Sequence, residues 1–177
     1  ATDCSLHREK GKKGTYGLSK KELKSQFSKK RDSKSPGYKR VKELDIKKGE
    51  VAVSMLKRAI KNGFSAKYVL MDSWFVNDYM IKSVRAIKKG AMHLLGMCRL
   101  DKRKYLVNKK ELNARQLITR NERKSSKYSR KYKSTYISMV VDYKGEKVRL
   151  FFIRYNNAKK WKLLLTTDLT LSFVEAI

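Results

Sequence analysis

The stretch Tyr68-Val-Leu-Met-Asp-Ser-Trp-Phe75 constrains the fold more than any other part of the chain. Four apolar or aromatic residues run from Tyr68 to Met71 and end at an aspartate. Val76, Met80, Val84 and Ile87 then recur at spacings of four, four and three, which puts them on one helical face. Upstream, Val51, Met55, Leu56, Ala59 and Ile60 share a second helical face, and Asn62-Gly63 supplies a left-handed stop. The local order is therefore helix, strand, helix, which predicts an α/β class. A short apolar run between two helices predicts a strand covered on both faces. Asp72 then stands at the carboxyl end of that strand, where open α/β sheets place their ligands. Two readings of Asp72 follow. It is a helix cap or turn residue, or it is a metal ligand beside a polyanion.

Charge bears on that choice. The 177 residues carry 45 Lys and Arg against 16 Asp and Glu, a formal net charge of +29. Such a charge argues against an ordinary metabolic enzyme. It fits a nucleic-acid partner, because Lys and Arg on phosphates release condensed counterions. At 41% hydrophobic residues the chain is no disordered basic tail. The two cysteines, Cys4 and Cys98, form no metal spacing with His7 and His93, and they read as small buried apolar residues in a reducing compartment. No apolar run reaches the length of a membrane span, so no membrane partner is expected.

Residues 9–40 read as a basic, turn-rich loop punctuated by Gly11, Gly14, Gly17 and Ser35-Pro36-Gly37, with a short helix around Leu18, Leu23 and Phe27. Its clusters include Lys12-Lys13 and Lys29-Lys30-Arg31, with Arg40 near its end. They make it either a solvated loop or a phosphate-contacting arm. Beyond the second helix, residues 92–98 and 104–107 read as strands, with His93 as a sheet residue and a turn at Asn108-Lys109. Asn113 is placed to cap a helix holding Ala114, Leu117 and Ile118. Residues 121–133 are the densest basic run, with Lys124, Arg130 and Lys131 among interleaved tyrosines. They read as a loop, either flexible or DNA-contacting. Residues 134–143 and 147–155 are the strongest strands, joined across Lys144-Gly145-Glu146 as a hairpin. Asn156-Asn157 makes the next turn and Trp161–Thr166 the last strand. Asp168 or Thr170 then starts a final helix, with Ser172 and Glu175 placed as a capping box. The β-rich block outruns an ordinary connection and reads as an inserted subdomain.

Several blocks together resemble the DDE transposases of bacterial insertion sequences, of the insertion-sequence-four type. They are Tyr68-Val-Leu-Met-Asp-Ser-Trp-Phe75, Ser5-Leu-His-Arg-Glu-Lys-Gly11, Lys30-Arg-Asp-Ser-Lys-Ser-Pro-Gly-Tyr-Lys-Arg40 and Trp161-Lys-Leu-Leu-Leu-Thr-Thr-Asp168. The resemblance spans nearly the whole chain. It implies a partial ribonuclease H-like core over residues 1–90, a β-rich insertion over 91–167, and the start of a core helix over 168–177. Asp72 matches the second catalytic acid of the family. The first and third acids are expected outside the chain, which makes this an internal fragment, inactive alone. Asp3 matches no catalytic position, and Asp168 reads as a helix cap.

The implied chemistry is an in-line phosphoryl displacement on DNA with two divalent metals, magnesium or manganese, held by three carboxylates. The implied partners are insertion-sequence terminal repeats and target DNA, engaged by a homodimer on paired ends in a bacterial cytoplasm. Trp161 resembles a residue that stacks on a flipped base in some relatives. It sits one residue off that pattern, so packing in the sheet is the competing reading. The candidate DNA contacts are Lys29, Lys30, Arg31, Arg40, Lys124, Arg130, Lys131 and Trp161. Two other functions remain consistent with the residues: a non-catalytic basic nucleic-acid-binding module, and a ribonuclease H-like nuclease without strand transfer.

Overall fold

The computed structural model describes residues 3, 5, 6, 8, 14–156 and 158–177, with Lys88 described by its backbone alone. The readings that fall on Cys4, His7, Lys12-Lys13 and Asn157 lie outside these residues. The chain separates into two compact units, 1–65 and 66–177. The boundaries expected at residues 90 and 167 both fall inside the second unit.

The first unit holds three helices: α1 (Lys20–Ser25), α2 (Pro36–Val41) and α3 (Lys48–Lys61). Ser19 and Glu22 close a reciprocal capping box at the start of α1. Ser35-Pro36-Gly37 opens α2 and is not a turn. The Ser35 hydroxyl accepts the Tyr38 amide at 3.1 Å, and Pro36 takes the first helical position, where its missing N–H costs nothing. The helix α3 ends as its sequence requires, with Gly63 at φ +89° donating its N–H to Ile60.

The second unit is built on one sheet. Its strands are β1 (Tyr68–Met71), β2 (His93–Cys98), β3 (Lys104–Val107), β4 (Lys110–Asn113), β5 (Lys127–Ser129), β6 (Ser134–Tyr143), β7 (Glu146–Tyr155) and β8 (Lys162–Thr166). Their order is β1-β2-β8-β7-β6-β3-β4, with β5 paired to β6. Among the described strands β1 and β2 pair in parallel and the other pairings are antiparallel. The helices are α4 (Asp78–Ala86), α5 (Ala114–Ser125) and α6 (Phe173–Ala176). Among the described residues the protein is thus a mixed α/β chain with an eight-stranded, mostly antiparallel sheet and six helices. The strands expected in a separate insertion continue the sheet that β1 and β2 begin.

Three local expectations are corrected. First, β1 is not covered on both faces. It is the sheet edge, and Leu70 is 74% exposed. Second, residues 121–133 are a loop only in part. The Asn113 capping box starts α5, which enters this basic stretch and ends at Ser125; β5 follows, and residues 130–133 form the turn into β6. Third, the hairpin turn is Lys144-Gly145 alone. Both residues have positive φ, +52° and +85°, the geometry of a two-residue hairpin turn, and Glu146 pairs with Tyr143.

The core lies on the two faces of the sheet. One face carries Leu94, Cys98, Tyr105, Ile137, Val148, Leu150, Phe152 and Leu163, all buried. Met80, Ile81 and Val84 of α4 and Leu117 and Ile118 of α5 are buried with them. The other face carries Phe151, Ile153 and Leu164. These pack with Leu171 and Phe173 from the segment after β8. Phe173 stacks on Tyr136 at 3.9 Å between centroids and meets Tyr132 edge-on.

Candidate functional site

Asp72 leaves β1 at its carboxyl end, beside the one parallel pairing of the sheet, and its side chain is exposed. One carboxylate oxygen accepts the Trp74 amide at 2.9 Å, and its carbonyl accepts the Phe75 amide at 3.2 Å. Asp72 is therefore an Asx-turn residue. It is not the cap of α4, because Asn77 accepts the Met80 amide there at 2.9 Å. The turn is held from behind. Met71 lies opposite Gly96 in the register of β1 and β2. A Cβ at residue 96 would sit 2.5 Å from Val76 Cγ2 and 2.6 Å from the Met71 carbonyl oxygen, so only glycine fits. Arg103, paired with Asp101 at 2.9 Å, also donates to the Val76 carbonyl at 2.8 Å.

Around this end stand Trp74, 69% exposed, and Arg99, whose guanidinium lies 4.8 Å from the Trp74 ring centroid. Cys98 is buried just inside, and burial pushes its thiol up to about 12, so it stays protonated. Among the described residues no three His, Cys, Asp or Glu side chains come close enough to hold a metal ion. Asp72 supplies one carboxylate. A two-metal centre does not fit the described residues.

Asp168 belongs to a different site. It is only 4% exposed and lies just past β8, near the amino ends of β1 and β2. Tyr68 donates to it at 2.6 Å, Thr170 donates through both hydroxyl (2.6 Å) and amide (2.9 Å), and Lys67 pairs at 3.5 Å. His93 Nε2 lies 4.0 Å away. Burial alone would raise the carboxyl; the hydrogen bonds from Thr170 and Tyr68 outweigh it and hold the group well below the ordinary carboxylate range. Asp168 does not cap α6, whose cap is Ser172 in a capping box with Glu175. Asp168 thus gathers at the Tyr68 end of β1, whereas Asp72 follows Met71 at the other end of that strand. No local pattern signals the Tyr68–His93–Asp168 grouping, because it depends on the Tyr68–His93 register.

The expected DNA contacts divide. In the first unit Lys29 and Lys30 are exposed, whereas Arg31 is half-buried against Gly37. Arg40 is drawn into ion pairs: it meets Asp3 at 2.8 Å and Glu43 at 3.3 Å, and Arg58 joins the same two carboxylates. Its charge is spent inside the unit, and Asp3 is neutralised by two guanidiniums. In the second unit Lys124, Arg130 and Lys131 are exposed. Trp161 stands just before β8, half-buried, with the Arg154 guanidinium 4.7 Å from its ring centroid. Arg154 in turn pairs with Glu122 of α5 at 2.8 Å. Trp161 lines a groove of about 500 Å³ with Arg115, Thr119, Lys159 and Lys160. No local pattern marks the basic residues of this groove, since α5 and the segment before β8 are some forty residues apart in the chain and come together only in the fold. Compared with family models, curated proteins and solved structures, the chain matches none. No helix among the described residues is long and apolar enough to cross a membrane.

Proposed function

We propose that this chain is part of a DDE-type DNA transposase with a ribonuclease H-like core, whose whole protein cuts and joins DNA at insertion-sequence ends by metal-dependent phosphoryl transfer. One observation carries the reading: an exposed aspartate, Asp72, at the carboxyl end of a parallel strand pair in a chain of net charge +29. The motif blocks around Asp72 and Asp168 support it. The residues of this chain bind and orient DNA. Exposed Lys29, Lys30, Lys124, Arg130 and Lys131 supply phosphate contacts, and the groove beside Trp161 adds an aromatic surface among cations. With one carboxylate at the site, the chain alone binds DNA and does not cut it.

The test is strand cleavage with magnesium by the protein of the whole reading frame, on DNA carrying its own flanking repeats. Asp72→Asn is expected to abolish cleavage and keep binding. Equal cleavage in both proteins would remove Asp72 from the mechanism. A second reading, a non-catalytic nucleic-acid-binding module, accounts for the net charge of +29 without any cleavage chemistry. Tight, salt-sensitive binding without cleavage in either protein would select it.

A further inference from the structure

We infer that Trp74 and Arg99 form a stacking platform for an unpaired DNA base, placed two residues from Asp72. The inference rests on the DNA-binding reading above and adds a strand preference to it. Three observations carry it. A tryptophan normally buries most of its large ring, yet Trp74 is 69% exposed. Its backbone is nonetheless fixed. The Trp74 amide donates to Asp72 at 2.9 Å, the Phe75 amide closes the turn at 3.2 Å, and Arg103 holds the Val76 carbonyl at 2.8 Å. The Arg99 guanidinium lies 4.8 Å from the ring centroid, so a planar cation and an indole share one surface. That pairing suits a nucleotide: the indole offers a face for the base, and the guanidinium offers either a second stacking plane or a phosphate contact.

The platform discriminates between strands. In a duplex each base is already stacked on its neighbours, so a base must be unpaired to reach a protein ring. Trp74 therefore selects single-stranded or frayed DNA, while the exposed lysines elsewhere hold duplex and single strand alike. Trp161 is differently placed. It is half-buried beneath Arg154, which is itself tied to Glu122.

The experiment uses the chain with Trp161→Phe, which leaves Trp74 as the sole tryptophan. Fluorescence is titrated with an oligothymidylate and with a duplex of equal length. Saturable quenching by the single strand is expected. Affinities of the variants are read by the anisotropy of labelled oligonucleotides: Trp74→Ala should lower single-strand affinity roughly ten-fold and duplex affinity less than two-fold; Arg99→Ala should do so more weakly, and Trp74→Phe should recover part of the loss. Equal losses on both DNAs, or single-strand binding without quenching, would overturn the platform. Steep salt-dependent duplex binding with no response at Trp74 would overturn the platform alone. Binding to neither DNA would overturn the DNA reading and the platform together.

Discussion

Gly96 shows how one residue positions a site. Its missing side chain lets Val76 and the Met71 carbonyl close over β2, and that closure aims Asp72 outward. Gly96→Ala should cost about 1–3 kcal/mol through overpacking, read as a lower urea midpoint with an unchanged slope. Asp168 gives a pH-dependent prediction. Its folded carboxyl titrates below its ordinary value near 3.8, so its stabilisation is present above that value and is lost as pH falls below it. Asp168→Asn should therefore destabilise the protein at pH 7 by about 1–3 kcal/mol. It should also flatten the acid limb of the stability curve below about pH 4; an unchanged limb would place the acid sensitivity elsewhere. Of these residues only Asp72 was legible in the sequence, since its strand and helix are both local patterns. The need for glycine at 96 and the burial of Asp168 both arise from strand register, which no local pattern encodes.

At the scale of elements, local signals served well and pairing signals did not. The Asn113 and Ser172 caps, the Gly63 stop and the β6–β7 hairpin follow from neighbouring residues, and the structure contains all of them. Lys124 shows the limit. A run of like charges suggests a loop, yet α5, buried at Leu117 and Ile118, continues into it as far as Ser125. The edge position of β1 was equally hidden, because Val69 and Leu70 read alike whether a strand is central or terminal. The segment after β8 packs Leu171 and Phe173 against the sheet. Phe173 is 5% exposed and stacks on Tyr136. Phe173→Ala should cost about 3 kcal/mol or more, measured by thermal unfolding. Asn113→Ala should cost about 1 kcal/mol through the lost cap. A larger penalty for Asn113 than for Phe173 would reverse this ranking.

The whole molecule divides its labour unevenly. Basic residues outnumber acidic ones by more than two to one in both units, so the charge on which the DNA-binding proposal rests is spread over both. The core is not shared in the same way. Among the described residues of 1–65 the buried apolar side chains are Leu44, Val51 and Val53, whereas the sheet, α4 and α5 supply most of the rest from 66–177. Small units with little buried apolar surface are marginal, because conformational entropy is lost whether or not a core forms. Residues 66–177 expressed alone should thus unfold cooperatively, with a β-type circular dichroism spectrum and a urea midpoint close to that of the whole chain. Residues 1–65 alone should show no cooperative transition, although α3 keeps some helicity. If 66–177 failed to fold, the first unit would be supplying packing to the sheet that its own buried residues do not reveal. If both folded, DNA binding could be assigned to each separately by its salt dependence. A piece making six to ten phosphate contacts should lose about 10³–10⁵ in affinity between 50 and 200 mM salt. The larger unit, which also holds Trp74 and Trp161, should be the one that distinguishes single strand from duplex.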